Sequence, residues 1–277
     1  GNDNETRRTN LINYVRGTDI HNNTINRSCR NRSFTDGNNT LTWKLGDIVY
    51  STPQDVIDYQ FCYDAEAGFD NQTCTQNSDC AAGKRCRKKE SVIFAGANDG
   101  MLHAFKTGII NNEADHPKVA SLWPAGAADF GEELWAFIPK NSLPYLRWLA
   151  APGYCHLSFV DLSPYITHMT TSEGVRKILI GGMRFGGAPA PGIGSAQPPP
   201  CDTCGSTVPC STLNTCYNPQ PYHATTNPGG CTGLSSYFAL DITNPEAPRL
   251  LWEFTHPKLG YSYSGPAVIT RNGKYHV

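Results

Sequence analysis

Cysteine is the residue type whose spacing carries the most chemistry in this chain. Of 11 cysteines, nine fall in two clusters: Cys62, Cys74, Cys80 and Cys86, then Cys201, Cys204, Cys210, Cys216 and Cys231. Both clusters lie in polar stretches rich in Gly, Pro, Asn and Thr that lack apolar periodicity. Such stretches bury too little surface to offset the cost of ordering, so disulfide staples are the natural remedy. Staples of this kind belong to an oxidising compartment, the periplasm or the cell exterior. The competing chemistry is zinc on Cys201-x-x-Cys204 with Cys210 and Cys216, but a second Cys-x-x-Cys pair is missing. Gly205 follows Cys204, which excludes haem attachment. Connectivity stays open, and Cys29 and Cys155 stand apart from both clusters.

Catalytic constellations are hard to assemble from the rest. The 8 histidines are scattered, with no HExxH motif and no i,i+4 His pair. His103 and His156 fall in expected strands, where core or interblade hydrogen bonding is the better reading. No Gly-x-Ser-x-Gly elbow occurs, and "GGMRFGG" (181–187) lacks the order of a phosphate loop. Its glycines suit a bulge and turn. Asp64, Glu66 and Asp70 lack the alternation of a calcium loop and read as an exposed loop beside disulfides. Asp99 reads as a turn residue rather than a base. Two stretches suit contact instead: the basic run 84–89, and the loop 188–233 with Tyr217 and Tyr222. Each has a plainer reading, as a solvated face and as a shield over a blade edge.

The elements that must position these residues are almost all β. Leu11, Ile12 and Val15 mark a short N-terminal helix over 5–16 that stops at Gly17. Strands are expected at 47–53, 91–97, 101–105, 133–138, 156–161, 177–181, 237–242, 250–254 and 267–270. Asn98-Asp99-Gly100 closes a tight hairpin, and a second short helix fits 142–149. Two segments repeat each other. "MLHAFKTG" leads to "EELWAFIP", and "SYFALDITNP" leads to "PRLLWEF". Each pairs a strand centred on Ala (Ala104, Ala239) with a later strand carrying Trp (Trp135, Trp252), which describes blades of a β-propeller. A β-sandwich is the alternative.

Composition sets the outer bounds. Lys+Arg 23 against Asp+Glu 24 gives net charge −1, which argues against a nucleic-acid binder. No apolar run approaches the ~20 residues of a membrane span. Gly 26, Pro 20 and 10% aromatic residues fit a turn-rich β protein. The start, Gly1-Asn-Asp-Asn, carries no basic-then-apolar leader, so a processed terminus or an internal segment is expected. The end, "NGKYHV", reads as the beginning of a strand in an unclosed propeller. Six Asn-x-Ser/Thr sequons, from Asn4 to Asn71, read as chance in an Asn-rich chain.

Eight blocks occur in one order: "NLINYVRGTD", "WKLGDIVYSTP", "VIFAGANDGMLHAF", "ELWAFIPKNSLPYL", "HLSFVDLSP", "ILIGGMRFGG", "SYFALDITNPEAPRLLWEF" and "LGYSYSGPAVI". This series resembles the C-terminal β-propeller domain of the PilY1/PilC family of type IV pilus biogenesis proteins. The resemblance implies an all-β propeller with quinoprotein-like blades. It would run over 1–277, be incomplete in this chain, and carry a Cys-rich insertion at 60–90 and a Pro/Gly/Cys-rich insertion at 188–233. It also implies a pilus-associated protein at the cell surface, exported through the periplasm, that supports pilus extension and adhesion by binding rather than catalysis. Its partners would be pilin or minor pilins and a host or solid surface, without nucleic acid or a membrane span. The family's calcium loop is expected in a later blade, so no cofactor is expected in this chain. Two rivals remain. One is a quinoprotein dehydrogenase that binds pyrroloquinoline quinone, which its Asn98-Asp99-Gly100 repeat also resembles. That class uses adjacent cysteines, and no Cys-Cys pair occurs here. The other is an extracellular recognition module unrelated to pili.

Overall fold

In the computed structural model, the described residues are 2–18, 30–56, 60–64, 68–88, 92–107, 109–111, 121–123, 131–150, 156–172, 174–186, 235–256, 259 and 261–277. Helix α1 (Asn2–Val15) ends at Gly17, whose φ of 95° suits glycine. Leu11, Tyr14 and Val15 face the core at i, i+3, i+4 spacing, while Ile12 is exposed. Tyr14 is the anchor: its buried hydroxyl donates to Leu149 O at 3.1 Å.

The strands follow in order: β1 (Ser33–Asp36), β2 (Asn39–Thr42), β3 (Gln54–Val56), β4 (Gln60–Asp64), β5 (Gly68–Cys74), β6 (Arg85–Lys88), β7 (Val92–Gly96) and β8 (Leu102–Lys106). After them come β9 (Ile109–Asn111), β10 (Ser121–Trp123) and β11 (Glu133–Phe137), then a 3-10 turn (Lys140–Tyr145) running into α2 (Leu146–Leu149). The second half holds β12 (Tyr165–Thr171), β13 (Gly174–Gly182), β14 (Tyr237–Asp241), β15 (Arg249–Phe254), β16 (Ile269–Arg271) and β17 (Lys274–His276).

Two four-stranded antiparallel sheets dominate, with orders β11-β8-β7-β3 and β12-β13-β14-β15. Each is a meander in which the chain visits neighbouring strands in turn. That is the build of a propeller blade, and the fold is all-β and propeller-like, with two such sheets among the described residues where a closed ring has about four to eight blades. The repeat is legible in the register. Trp135 stands opposite Ala104, and Trp252 stands opposite Ala239. Each small Ala leaves room for the indole across the strand pair. Trp135 reaches across to the second sheet, where its indole N–H donates to Pro245 O at 2.8 Å. Trp252 packs toward Val268, just before the β16–β17 hairpin. One core cluster joins both sheets through Phe94, Leu102, Phe159, Leu179, Phe238 and Leu240, and the rings of Phe137 and Phe238 meet at 5.0 Å.

Two expected strands are absent. Residues 47–53 and 156–161 join no ladder, and β3 begins only at Gln54. Side chains and isolated backbone bonds, such as Val160 N to Ala97 O at 3.3 Å, satisfy their backbone instead. Tyr50 N donates to Asp161 Oδ1 at 3.3 Å, and Thr52 N to Ser163 Oγ at 2.9 Å. The strand expected at 267–270 is also shifted, to Ile269–Arg271.

Residues between β3 and β7 form a separate three-stranded sheet, β5-β4-β6. Asp64 and Asp70 sit on its strands rather than in a loop, and Glu66 lies outside the described residues. Disulfides join Cys62 to Cys80 and Cys74 to Cys86, closing spans of 18 and 12 residues. Cys201, Cys204, Cys210, Cys216, Cys231, Cys29 and Cys155 lie outside the described residues, as does the loop 188–233. Loop closures of this size stabilise by about 3 kcal/mol each. Cys62→Ser/Cys80→Ser should therefore abolish slow amide exchange in β4–β6 and leave β7 and β8 protected, as read by hydrogen–deuterium exchange. Equal loss in β7 would contradict the separateness of this sheet. Among the described residues no helix is long and apolar enough to cross a membrane.

Candidate functional site

Antiparallel meanders place alternate connections at opposite ends of the sheets. The inserted three-stranded sheet leaves from one end. The other end carries segment 43–53, the β7–β8 turn, segment 156–163 and the turn after β13. These four pieces are locked together by buried polar side chains.

Asn98 and Asp99, expected as turn formers, do more than turn the chain. Both are buried. Asn98 Nδ2 donates to Asp47 Oδ2 at 2.8 Å, and Asn98 Oδ1 accepts from Phe159 N at 3.0 Å. One side chain thus ties both flanking segments to the β7–β8 turn. Asp99 accepts from Gly46 N at 2.7 Å and from Met101 N at 3.2 Å. His156, expected as a hydrogen-bonder, meets the Asp47 carboxylate at 2.9 Å. Burial pushes the Asp47 carboxyl up, but hydrogen bonds from Asn98 and His156 outweigh it and hold it below the usual Asp range.

His103 is the centre of this lock. Its side chain is 4% exposed and lies between two carboxylates. Nε2 donates to Asp99 at 3.0 Å, and Nδ1 donates to Glu133 Oε1. Burial opposes protonation, yet the hydrogen bonds and charges of Asp99 and Glu133 prevail and raise its pKa to about 9. His103 is therefore an imidazolium at neutral pH. Matching Ala104 to Ala239 sets His103 at the position of Phe238, a fully buried core residue. The first blade carries an ion triad where the second carries a ring. That substitution is visible when "MLHAFKTG" is laid on "SYFALDIT", and it is the signal that a pattern of histidine pairs does not catch. Asp99, engaged by two backbone N–H groups and an imidazolium, has the partners of a structural group and not of an exposed base.

At the rim of the same end lies an aromatic cluster around Arg184, whose φ is 47°. Its guanidinium donates to the buried Asp161 at 3.2 Å and stacks 3.9 Å over the Tyr50 ring. Phe185 packs against Tyr50 at 5.1 Å and against Tyr263 at 5.0 Å. Burial holds the Asp161 carboxyl above its ordinary range despite Arg184 and the Tyr50 N–H. Outward, Val49, Tyr50, Phe185 and Tyr263 are 55%, 50%, 40% and 44% exposed. A contiguous apolar surface of this kind, seated on a rigid frame, is a binding feature rather than a catalytic one. Sequence reasoning missed Asp47, Glu133, Asp161, Arg184 and Tyr263, because each gains meaning only from partners 20 to over 100 residues away. A cleft of about 290 Å³ opens beside this end between α1 and segment 43–47, lined by Tyr14, Arg30, Arg32, Trp43, Lys44 and Asp99 among others.

The fold and this end define a propeller-like, all-β chain with a polar-locked, aromatic-rimmed face. Its similarities lie with pilus proteins. The chain is 28% identical over 259 residues, 91% of its length, to the type IV pilus biogenesis factor PilY1 of Pseudomonas aeruginosa strain PAK. The PilY1 of strain UCBPP-PA14 is 26% identical over 83% of the chain, and a PilY1 homolog of Xylella fastidiosa is 28% identical over 64%. The chain spans 16% of the first of these proteins, 15% of the second and 10% of the third. No family model matches the chain, and no solved structure matches it.

Proposed function

We propose that this chain supports type IV pilus assembly and surface attachment by binding, outside the cytoplasm, with pilin or minor pilins as partners and a host or solid surface as the further contact. The observation that carries this reading is the likeness to PilY1 factors along 91% of the chain, both meanders included. Binding rather than turnover is supported by the chemistry of the best-ordered polar group. The Asp99–His103–Glu133 triad is spent on fastening loops, and the surface it fastens is apolar and aromatic. A stapled insertion between β3 and β7 and a rigid face suit a protein that must hold its contacts under load.

Phe185→Ser/Tyr263→Ser, placed in the native gene, tests the reading. Both side chains are partly exposed, 40% and 44%, so the fold should lose about 2 kcal/mol, chiefly the two aromatic contacts of Phe185. Surface piliation and attachment should fall several-fold while the protein accumulates normally. Unchanged piliation and attachment at normal protein level would remove this face from the function.

A further inference from the structure

We propose that the cleft between α1 and segment 43–47 binds an acidic sugar, a pyranose ring that carries a carboxylate. None of the residues lining it belongs to the Phe185–Tyr263 rim, so the site stands or falls apart from any role at a pilus. Its volume of about 290 Å³ lies at the small end of ligand sites, which begin near ~300 Å³. That space takes one sugar residue and leaves the neighbouring units of an oligosaccharide outside.

Trp43 supplies an apolar platform. It is 64% exposed, yet its position is set: the Phe34 ring meets it in a T-shaped contact at 5.8 Å, and its backbone N–H donates to Arg32 O at 2.9 Å. An open, preset indole matches the apolar C–H face of a pyranose. The cations come next. Arg30, Arg32 and Lys44 line the cleft, and α1 with its terminal glycine positions all three. Arg30 Nε donates to the Tyr14 hydroxyl at 3.2 Å. Arg32 donates to Tyr14 O at 2.8 Å, and its guanidinium stacks 3.7 Å from the centre of the Tyr14 ring. The Lys44 stem lies across Gly17, where a Cβ would stand 2.6 Å from Lys44 Cδ. Cations held in place beforehand lose little freedom when an anion arrives.

Asp47 lines the same cleft, and its carboxylate, 49% exposed, accepts hydrogen bonds. The mixture of groups selects the ligand. Inorganic phosphate would meet the cations but leave the indole uncovered. An acidic peptide would bring several charges against Asp47. A neutral sugar would cover the indole without engaging the cations. A sugar with one ring carboxylate uses all three features: its C–H face on Trp43, its carboxylate toward Lys44 and the arginines, and its hydroxyls donating to Asp47.

The test titrates the full chain by calorimetry with trisaccharides that end in a hexuronic or a nonulosonic acid. At least one should bind saturably at one per chain. Its carboxyl-reduced counterpart should bind at least about tenfold more weakly, the scale of one hydrogen bond to a charged group. Trp43→Ala and Lys44→Gln, both at exposed positions, should each weaken binding by about tenfold or more. Lys274→Gln makes the same charge change on β17 and should leave the affinity unaltered. Equal loss in Lys274→Gln reveals general charge attraction and overturns the site. Equal affinity for the reduced sugar, or indifference to Trp43→Ala, overturns it too, as does tighter binding of inorganic phosphate or a glutamate-rich peptide. Should a variant not fold, hydrogen exchange on the unaltered chain decides: the acidic sugar should slow exchange across 43–47. Unchanged exchange there, or no saturable binding of either acid, overturns the proposal.

Discussion

His103→Ala should lower stability by about 3 kcal/mol at neutral pH, the scale for removing one partner of a buried ion pair. The loss has two sources. Asp99 is left buried without its cation, and the space of an imidazole that is 4% exposed is emptied. The pH dependence separates this cause from mere loss of volume. His103 has a folded pKa of about 9, above its ordinary 6.5. Below 6.5 both folded and unfolded chains hold the proton, and the full stabilisation is present. Between 6.5 and 9 only the folded chain holds it, so stability declines as pH rises and the contribution is gone above 9. Glu133 acts on the acid side. The hydrogen bond from His103 leads in holding its carboxyl below the usual range, so its contribution is lost as pH falls through that lowered value. Urea midpoints across pH should therefore show an alkaline decline in the wild type that is flat in His103→Ala. His103→Phe, which copies the second blade, should recover part of the neutral-pH loss because the ring refills the space and Asp99 keeps Gly46 N and Met101 N. An alkaline decline unchanged in His103→Ala would place the titrating group elsewhere.

Trp135→Ala should cost about 3 kcal/mol, toward the lower end for a large aromatic because the indole is only partly buried. Its ring fills the space opposite Ala104 and beside Phe94, with ring centres 5.6 Å apart. Trp135→Phe should cost about 1 kcal/mol, since the ring volume largely survives while the hydrogen bond to Pro245 O is lost. Because that bond joins the two sheets, hydrogen exchange should quicken at the β14–β15 turn in both variants. Denaturant midpoints give the energies, and an unaffected turn would contradict the bridging role.

What the sequence made legible was what period and composition encode. The Ala–Trp repeat, the β7–β8 hairpin and both helices follow from local pattern, and the register bears out the repeat residue by residue. Segments 47–53 and 156–161 misled because alternating β-branched and aromatic residues look the same whether a strand or a side chain satisfies the backbone. Here Asp161, Ser163 and Asn98 take that role from distant positions. The helix face shifted from Ile12 to Tyr14 because the hydroxyl found Leu149 O, a partner 135 residues away. Disulfide pairing was likewise invisible. Cys62 stands opposite Cys86 on the ladder yet is bonded to Cys80, a choice made by the turn that delivers Cys80.

The central claim, attachment to a type IV pilus, is tested most directly by mass spectrometry of filaments sheared from the native cells. Peptides of this chain should be enriched alongside pilin, and enrichment should vanish in cells unable to build filaments. Clean filaments that lack these peptides, in cells that do express the chain, would contradict pilus association and leave a propeller-like recognition protein with another partner.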